Sequence, residues 1–581
     1  MSLNTAFSIA QKGINSLEQQ ISVISNNINN ANKAGYTRKT FAPETITAAG
    51  YSIPAGGKAL QAVVNDALAT QVNTQATNAQ YNTTIASYLS AYSDSYGSTS
   101  GNSTTLSATL DNLATAFQSL ESDPTQLADK SAIVANAQQL AAGLNGLSSG
   151  IQKQRQQASD AIGTAVTTIN DNLQTIYDLN KQIVNATATG LSAPDLIDQR
   201  NVALNNLSQQ IGVQYSSTSD NQLDVFIGGV PVLQGARIYK LSYTPAGGVS
   251  SSTVYPGGFS GITIGGTDIT TSATTGTIGA LISLRDSTLP GEQSKLDAFA
   301  STLASTVNKV LADGTAYPPE NSISGTTAVT SATALSATGN WRVAVTDTTG
   351  KVVNTTDLNL ASYSTVGALV TALNGLTGVS ASVASGVLTI TSTTTTNGIS
   401  LNQLTSSIGG KGATQYFGFN NLFTGSTTGT VTASNIGINS TLLTNSSALA
   451  SSTLSSSGTL AAGNIGLTSA DTTISTRLVD AFNTAQSFVA AGNFSSQTTT
   501  IGEYASSLIA DAASKANSSK TSADTAKSTY TYLSTQLSSE TGVNIDEESA
   551  NLSALQNYYS STAQVLSVIK ELYTTLLAAY R

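Results

Sequence analysis

The sequence predicts a protein that is mainly α-helical at both termini, with coiled-coil-like terminal helices. Between them it predicts an α+β helical-rod domain and an inserted, β-rich outer domain. Three observations carry this: a heptad-spaced apolar seam at each chain end, near-heptad spacing again in the middle, and loss of helical period over about 320–440.

At the start, apolar residues fall at Leu3, Phe7, Ala10, Ile14, Leu17, Ile21, Ile24 and Ile28, in alternating steps of four and three. That is an unbroken a/d seam, and polar residues such as Asn4, Gln11, Glu18 and Asn26 fill the other faces. Ser2 is placed to cap the run. Asn29, Asn30 and Asn32 disfavour a helix interior, and Gly35 suits the residue just past its end. The predicted helix is about 26 residues, or about 39 Å, long. At the far end the same spacing returns at Leu552, Leu555, Tyr559, Thr562, Leu566, Ile569, Tyr573, Leu576 and Tyr580. Asn544 followed three residues later by Glu547 predicts a capping box. Asp546, Glu547 and Glu548 complement the positive end of the helix dipole.

A buried Leu or Ile contributes about 1.5–3 kcal/mol, so the large residues of the first seam represent roughly 10 kcal/mol once covered. Alone in water, a helix of this length is marginal. An ordinary intrachain hairpin would cover the seams. A strict, narrow seam at both termini points further, to ends that pack on each other and on neighbouring copies. The predicted assembly interface is therefore Leu3, Phe7, Ala10, Ile14, Leu17, Ile21, Ile24 and Ile28 with Leu552, Leu555, Tyr559, Leu566, Ile569, Tyr573 and Leu576. In a lone molecule such ends are expected to be disordered or held by a partner.

Along the chain, 59–76 reads as a short strand running into a helix, and Tyr81, Ile85, Tyr88, Leu89 and Tyr92 continue a helical face. Gly97 to Ser103 is a turn. Leu106, Leu110, Leu113, Phe117 and Leu120 form a helix that stops at Asp123-Pro124. One helix is predicted over 125–148 and a longer one over 151–187, striped by Ile162, Val166, Ile169, Leu173, Ile176 and Ile183. A short helix around Asp195–Arg200 precedes a half-buried strand, Leu223-Val225-Ile227, with Gly228-Gly229 as its turn. Further on, Trp341-Val343-Val345 alternate. Val379–Val383 and Leu388–Ile390 flank Ser385-Gly386 as a hairpin, and Val366–Leu373 is a short helix. Gln415–Phe423 reads as a local aromatic core. From about 470 helices resume through Leu478, Phe482, Phe488, Tyr504, Leu508, Tyr530 and Leu537.

Composition narrows the function. The chain has 581 residues, room for three or four domains. Only 10% of residues are charged, against roughly 25% in ordinary domains, and the net charge is −9. No basic cluster exists to meet nucleic-acid phosphates. With no Cys and no His, disulfides, the commonest transition-metal ligands and histidine-based catalysis are excluded. No apolar run is long enough for a membrane span, and the N-terminus lacks the form of a secretory signal. Ser567-Val568-Ile569-Lys570 matches a bare Ser-x-x-Lys spacing inside an amphipathic helix, where chance explains it. Gly265-Gly266-Thr267-Asp268 reads as a turn, and the Asp546-Glu547-Glu548 acids as capping. No metal, cofactor or catalytic residue is predicted.

Several stretches carry a family resemblance. Ser25-Asn26-Asn27-Ile28-Asn29-Asn30-Ala31-Asn32 followed by Gly35-Tyr36-Thr37-Arg38 resembles the N-terminal motif of bacterial flagellar rod, hook and hook-associated axial proteins. Asp195-Leu196-Ile197-Asp198-Gln199-Arg200, then Ile211-Gly212-Val213 and Gly228-Gly229, is similar to the hook-associated protein 1 family within that group. So are the stretch from Gly279 to Val310 and the aromatic run near 415–423. The sharpest mark is Gly542-Val543-Asn544-Ile545-Asp546-Glu547-Glu548. The residues matching the motifs are Asn26, Asn27, Asn30, Ala31, Asn32, Gly35, Tyr36, Arg38, Gly542, Val543, Asn544, Asp546, Glu547 and Glu548. Over 320–410 the resemblance fades.

The resemblance implies a non-catalytic structural adaptor at the hook–filament junction of the flagellum, outside the cell. Its neighbours would be hook protein, the second hook-associated junction protein and other copies of itself in a ring or helical tube. It also implies flagellar type III export, with a chaperone on the C-terminal helix. The expected domains are a terminal helical inner domain (1–38 plus 543–581), a helical rod (39–320 plus 441–542) and an inserted β-rich outer domain (321–440). A hook or rod protein, and a secreted Ser/Thr-rich adhesin, are the alternatives.

Overall fold

A computed structural model of the chain describes residues 3–48, 51–97, 105–189, 191–426 and 430–579. Ser2, most of the turn placed at 97–103, and Tyr580 lie outside the described residues. Helix α1 (Leu3–Asn30) is followed by a two-stranded hairpin, Lys39–Ala48 with Tyr51–Ala62. Then come α2 (Asp66–Ser95), α3 (Leu106–Ser122), α4 (Leu127–Ala188) and α5 (Pro194–Gln210). Small sheets between 214 and 268 lead to α6 (Gly276–Ser283), which passes through a π-helical turn at Leu284–Thr288 into α7 (Leu289–Leu311). The inserted region holds α8 (Val366–Asn374) and α9 (Ala413–Phe417). Next come α10 (Ser440–Thr444), α11 (Thr473–Asn483) and two long closing helices, α12 (Ile501–Thr541) and α13 (Ile545–Ala579).

Local chemistry sets several of these boundaries. Asn65 and Thr105 cap α2 and α3 by accepting from the Leu68 and Ala108 amides. Thr500 and Glu503 form a reciprocal capping box on α12. Helix α4 departs from expectation: the predicted helices 125–148 and 151–187 are one continuous helix of 62 residues. Gly143, Gly146 and Gly150 have open space where a Cβ would stand. Each costs about 1 kcal/mol relative to Ala. The buried stripe from Ile133 through Leu140, Leu144 and Ile151 to Ile162 and Ile176 runs unbroken past them, and its packing outweighs that cost.

Helices α2 and α12 lie side by side and antiparallel. Asn65 donates to Glu540 at one end, and Tyr92 and Lys515 share Glu292 at the other. Where they meet α7, buried Lys295 pairs with Glu292 and Asp511, and Lys515 pairs with both acids as well. The helical core joins α3, α4, α7, α11 and α12 around contacts such as Phe117 on Phe482, ring centroids 5.4 Å apart. A second core packs the C-terminal half of α4 and α5 on the strand Leu223–Ile227 and its hairpin partner Val230–Gln234.

The inserted region has its own core around Trp341. Two three-stranded antiparallel sheets build it. In one, Asn340–Asp347 lies between Val352–Asn359 and Asn397–Asn402. In the other, Val387–Ser392 lies between Ser322–Ser324 and Val379–Ala384. Ser385 and Gly386 both have positive φ, 54° and 81°, as a two-residue type I′ hairpin turn requires. The alternation at Trp341-Val343-Val345 predicts one buried face, yet 341–346 are buried on both. The strand is central, and Ala344 packs its other face against Leu454 and Leu467. The aromatic run divides between two cores. Phe417 and Phe419 stand 6.2 Å from Trp341, while Leu422 and Phe423 join the helical core with Ala433 and Ile436. Asn308 of α7 holds that crossing by accepting from the Leu422 and Phe423 amides at 2.9 and 3.0 Å. Phe488, expected in a helix, lies in the short strand Gln486–Phe488.

Candidate functional site

The motif residues of the two chain ends converge on one buried polar hub. Gly35, with φ +75°, turns the chain as it leaves α1, and a Cβ there would stand 2.3 Å from Val202 Cγ2 on α5. Only glycine tolerates both the left-handed backbone and that approach. The loop then lays Tyr36, Thr37, Arg38 and Lys39 between three elements: the end of α1, the start of α13 and the first turns of α5.

Asn27, fully buried in the last turn of α1, is the centre. Its Nδ2 donates to the Lys39 carbonyl and to Glu548 Oε2, both at 2.9 Å. Its Oδ1 accepts from the Tyr36 hydroxyl and the Lys39 amide, both at 3.0 Å. Every hydrogen-bonding position of the amide is used. Glu548, 1% exposed, accepts from Arg38 Nε at 2.7 Å on its other oxygen. Arg38 also reaches Glu547 at 3.0 Å, a half-exposed pair of little energetic weight, and its amide donates to the Thr541 carbonyl at the end of α12.

The third side belongs to α5. Asp198 accepts from the Thr37 amide at 3.0 Å and the Thr37 hydroxyl at 2.8 Å, and forms an ion pair with Lys39. Lys39 is 3% exposed and its ammonium also lies over the Tyr36 ring, 4.7 Å from the centroid. Burial, and then the carboxylates of Asp195, Asp198 and Glu548, push the Tyr36 phenol up to about 12. The tyrosine therefore remains a hydrogen-bond donor at any physiological pH.

The cap of α13 is half of what its sequence predicts. Asn544 accepts from the Asp546 and Glu547 amides at 3.0 and 3.3 Å, but the Glu547 carboxylate turns to Arg38 rather than back to the cap. Gly542 lets the turn after α12 close, since a Cβ would stand 2.3 Å from the Ser538 carbonyl oxygen. Asn30 donates to the Asn26 carbonyl at 2.9 Å, Ala31 and Val543 are half-buried, and Asn26, Asn32 and Asp546 are solvent-exposed. Asp198, Thr37 and Lys39 complete the hub and were not singled out by spacing. Asp198 was legible only as part of a family motif, 159 residues away from Lys39.

From the hub, α1 and α13 run together. Phe7 meets Tyr573 edge to face, 6.3 Å between centroids, and Tyr573 also hydrogen-bonds Asn4. Tyr559 donates to Glu18 at 3.2 Å, and Gly13 admits Thr562 to close contact. The seams therefore face each other within one chain, but cover is partial. Of the α1 seam, Leu3, Phe7, Ile14, Leu17, Ile21, Ile24 and Ile28 are half-buried and only Ala10 is buried; of the α13 seam only Ile569 is buried. Leu552, Leu555, Tyr559, Leu566 and Tyr573 are half-buried, and Leu576 is 64% exposed. A second apolar face of α13 is uncovered: Tyr558, Val565, Val568 and Leu572 are each more than half exposed.

Ser567 and Lys570 lie exposed on α13, and Gly265-Gly266 form a hairpin turn with positive φ at both residues. Among the described residues, no group of three acidic side chains is placed to hold a metal ion, and no helix is long and apolar enough to cross a membrane.

Residues 96–323 match the family described as flagellar hook-associated protein FlgK helical domain. The match ends where the strand Ser322–Ser324 enters the inserted region. Flagellar hook-associated protein 1 of Salmonella typhimurium is 26% identical over 309 residues, covering 52% of this chain and 55% of the relative. The protein of the same name from Bacillus subtilis is 24% identical over 237 residues, 38% of this chain and 46% of the relative. The chain thus spans about half the length of the curated relatives it matches. The solved structure of the flagellar hook junction protein FlgK from Burkholderia pseudomallei superposes with a TM-score of 0.51 at 17% identity. It covers 80% of this chain and 99% of that one, and shows a shared fold. The chain is thus similar over 96–323 to the FlgK helical domain, is similar over about half its length to flagellar hook-associated protein 1 of other bacteria, and shares the fold of a hook junction protein.

Proposed function

We propose that this chain is a structural adaptor of the bacterial flagellum that joins hook to filament and performs no catalysis. The observation that carries the reading is the half-finished surface of the terminal pair. The α1 and α13 seams cover each other only in part, and the second face of α13 offers Tyr558, Val565, Val568 and Leu572 to solvent. A contiguous apolar face of this kind marks an interaction site. The relatives are named hook-associated, and one is named a hook junction protein. In this reading the terminal helices form the inner, assembling domain, beside other copies in a ring or tube. The helical rod stands outside them, and the β-rich insert faces outward. Hook protein, the second hook-associated junction protein and an export chaperone on α13 are the proposed partners, after export from the cell.

The test is a deletion strain with plasmid complementation. Under this reading, cells lacking the protein keep hooks, lose filaments and shed flagellin into the medium, and the wild-type gene restores filaments. Normal filaments without the protein would refute a junction role. Loss of the hook itself would instead identify a hook or rod protein.

A further inference from the structure

We propose that the Asn374 carboxamide guards an open sheet edge: by pairing with both backbone groups of Ala381, it stops a second copy of this chain from adding a strand to the inserted region. The edge is Val379–Ala384, the outer strand beside Val387–Ser392. Ala384 and Val387 face each other across the Ser385-Gly386 turn, and Thr393 donates to the Gly378 carbonyl at the other end. Bonds to the inner strand therefore fall on Ser380, Ser382 and Ala384, while Val379, Ala381 and Val383 turn their backbone groups outward. An outward row of this kind is a template for another chain, and proteins commonly blunt it with charge or proline. None of the three strands of this sheet carries a charged residue or a proline.

Asn374, the last residue of α8, takes that place. Its Nδ2 donates to the Ala381 carbonyl at 2.8 Å, and its Oδ1 accepts from the Ala381 amide at 2.7 Å. A carboxamide presents a donor and an acceptor side by side, so it fills the position as a neighbouring strand would. Asn170, Asn180 and Asn308 pair in the same way with Leu241, Leu223 and Phe423, but each of those is buried or half-buried and joins a helix to the body. Asn374 is solvent-exposed, and water can satisfy the same groups, so folding does not demand the pairing. Val379 is covered too, because its amide donates to the Leu376 carbonyl at 3.3 Å. That leaves Val383, too short a row to hold a second strand. With Asn374 removed, Ala381 and Val383 stand open together. Two copies can then pair antiparallel, Ala381 of each bonding Val383 of the other, with Ser382 facing Ser382. The guard concerns the inserted region alone and does not depend on the junction reading.

The full-length chain has no cysteine, so an engineered disulfide tests this. In the pairing above, Ser382 faces its own counterpart at a non-hydrogen-bonded position, with Cα atoms about 4.5 Å apart and within disulfide reach. Under mild oxidation, Ser382→Cys alone should stay mostly monomeric on a non-reducing gel. Ser382→Cys combined with Asn374→Ala, or with Asn374→Ser, should form the linked dimer at least about tenfold faster, as two backbone pairs become free to bond. Adding Val383→Pro, which removes an outward N–H and no bond of the sheet, should return the rate to that of Ser382→Cys alone. Fluorescence of Trp341, buried in the same core, checks that each variant keeps a folded insert. The inference is overturned if the folded double variants cross-link no faster than Ser382→Cys alone, or if Val383→Pro leaves the faster rate unchanged. It is also overturned if neither Asn374 substitution folds, which would make Asn374 a pin that the fold requires.

Discussion

Leu388→Ala tests whether the inserted region is a separate folding body. Leu388 is fully buried in the strand Val387–Ser392 and belongs to the core around Trp341, which shares no buried residue with the helical cores. Truncating a buried leucine costs about 2–5 kcal/mol, through lost transfer energy and the cavity left behind. Taking about 3 kcal/mol, and a urea slope of about 1–1.5 kcal/mol per molar for a unit of roughly one hundred residues, the midpoint falls by about 2–3 M. The chain contains a single tryptophan, Trp341, buried and donating from its indole N–H to Thr414 at 3.1 Å. Tryptophan fluorescence therefore reports on the inserted region alone, while far-UV ellipticity reports mainly on the long helices. The expected result is a fluorescence transition shifted by about 2–3 M with the ellipticity transition moved by less than about 0.5 M. Coincident shifts would refute the separation. They would mean that the contacts across the boundary, such as Arg342 to the Ser455 and Ser457 carbonyls and Ala344 on Leu454, weld the two bodies into one cooperative unit.

Three further outcomes are expected. Gly35→Ala should destabilise the hub locally by about 2 kcal/mol, from the left-handed backbone and from displacement of Val202, seen as faster exchange over 34–39; unchanged exchange there would count against it. Lys130 is buried and donates to the Tyr317 carbonyl at 3.1 Å, and burial pushes its ammonium down to about 8. Between pH 8 and about 10.5 the unfolded chain holds a proton that the folded chain has lost, so stability from this group rises with pH through that window. Lys130→Met should therefore raise the melting temperature at pH 7, by about 1 kcal/mol of stability, with the advantage shrinking toward pH 10. An advantage that grows with pH would show the sign to be wrong. Val568→Ser with Leu572→Ser, at positions 56% and 51% exposed, should change the stability of the lone chain by no more than about 0.5 kcal/mol per site. The same pair should cut swarming and release flagellin in complemented cells, and normal swarming would remove this face from the assembly surface.

Local chemistry was legible in the residues themselves. The alternating four-and-three steps of the first helix, the stop at Asn29–Gly35, the Asn544 cap and the Ser385-Gly386 hairpin each follow from interactions spanning a few positions. The seam at both ends likewise declared surfaces that need cover. The break expected between 148 and 151 is absent: Gly150 weakens the helix there only locally, and the stripe from Ile133 to Ile176 is a property of packing.

The family motifs marked Asn27, Gly35, Arg38 and Glu548 as a set without saying why they belong together. Their partnership depends on a fold that brings position 27 beside 548 and position 39 beside 198, and no spacing along the chain encodes it. Likewise, alternation at Trp341–Val345 could name a strand but not a central one, because the second cover comes from Leu454 and Leu467, a hundred residues on. The sequence by itself determined which segments are helices and turns and which stripes want burial, since those are set by backbone geometry and side-chain period. Only the tertiary structure decided which stripes meet, which polar groups close on each other, and which face of α13 is left open. Those depend on what the rest of the chain places alongside.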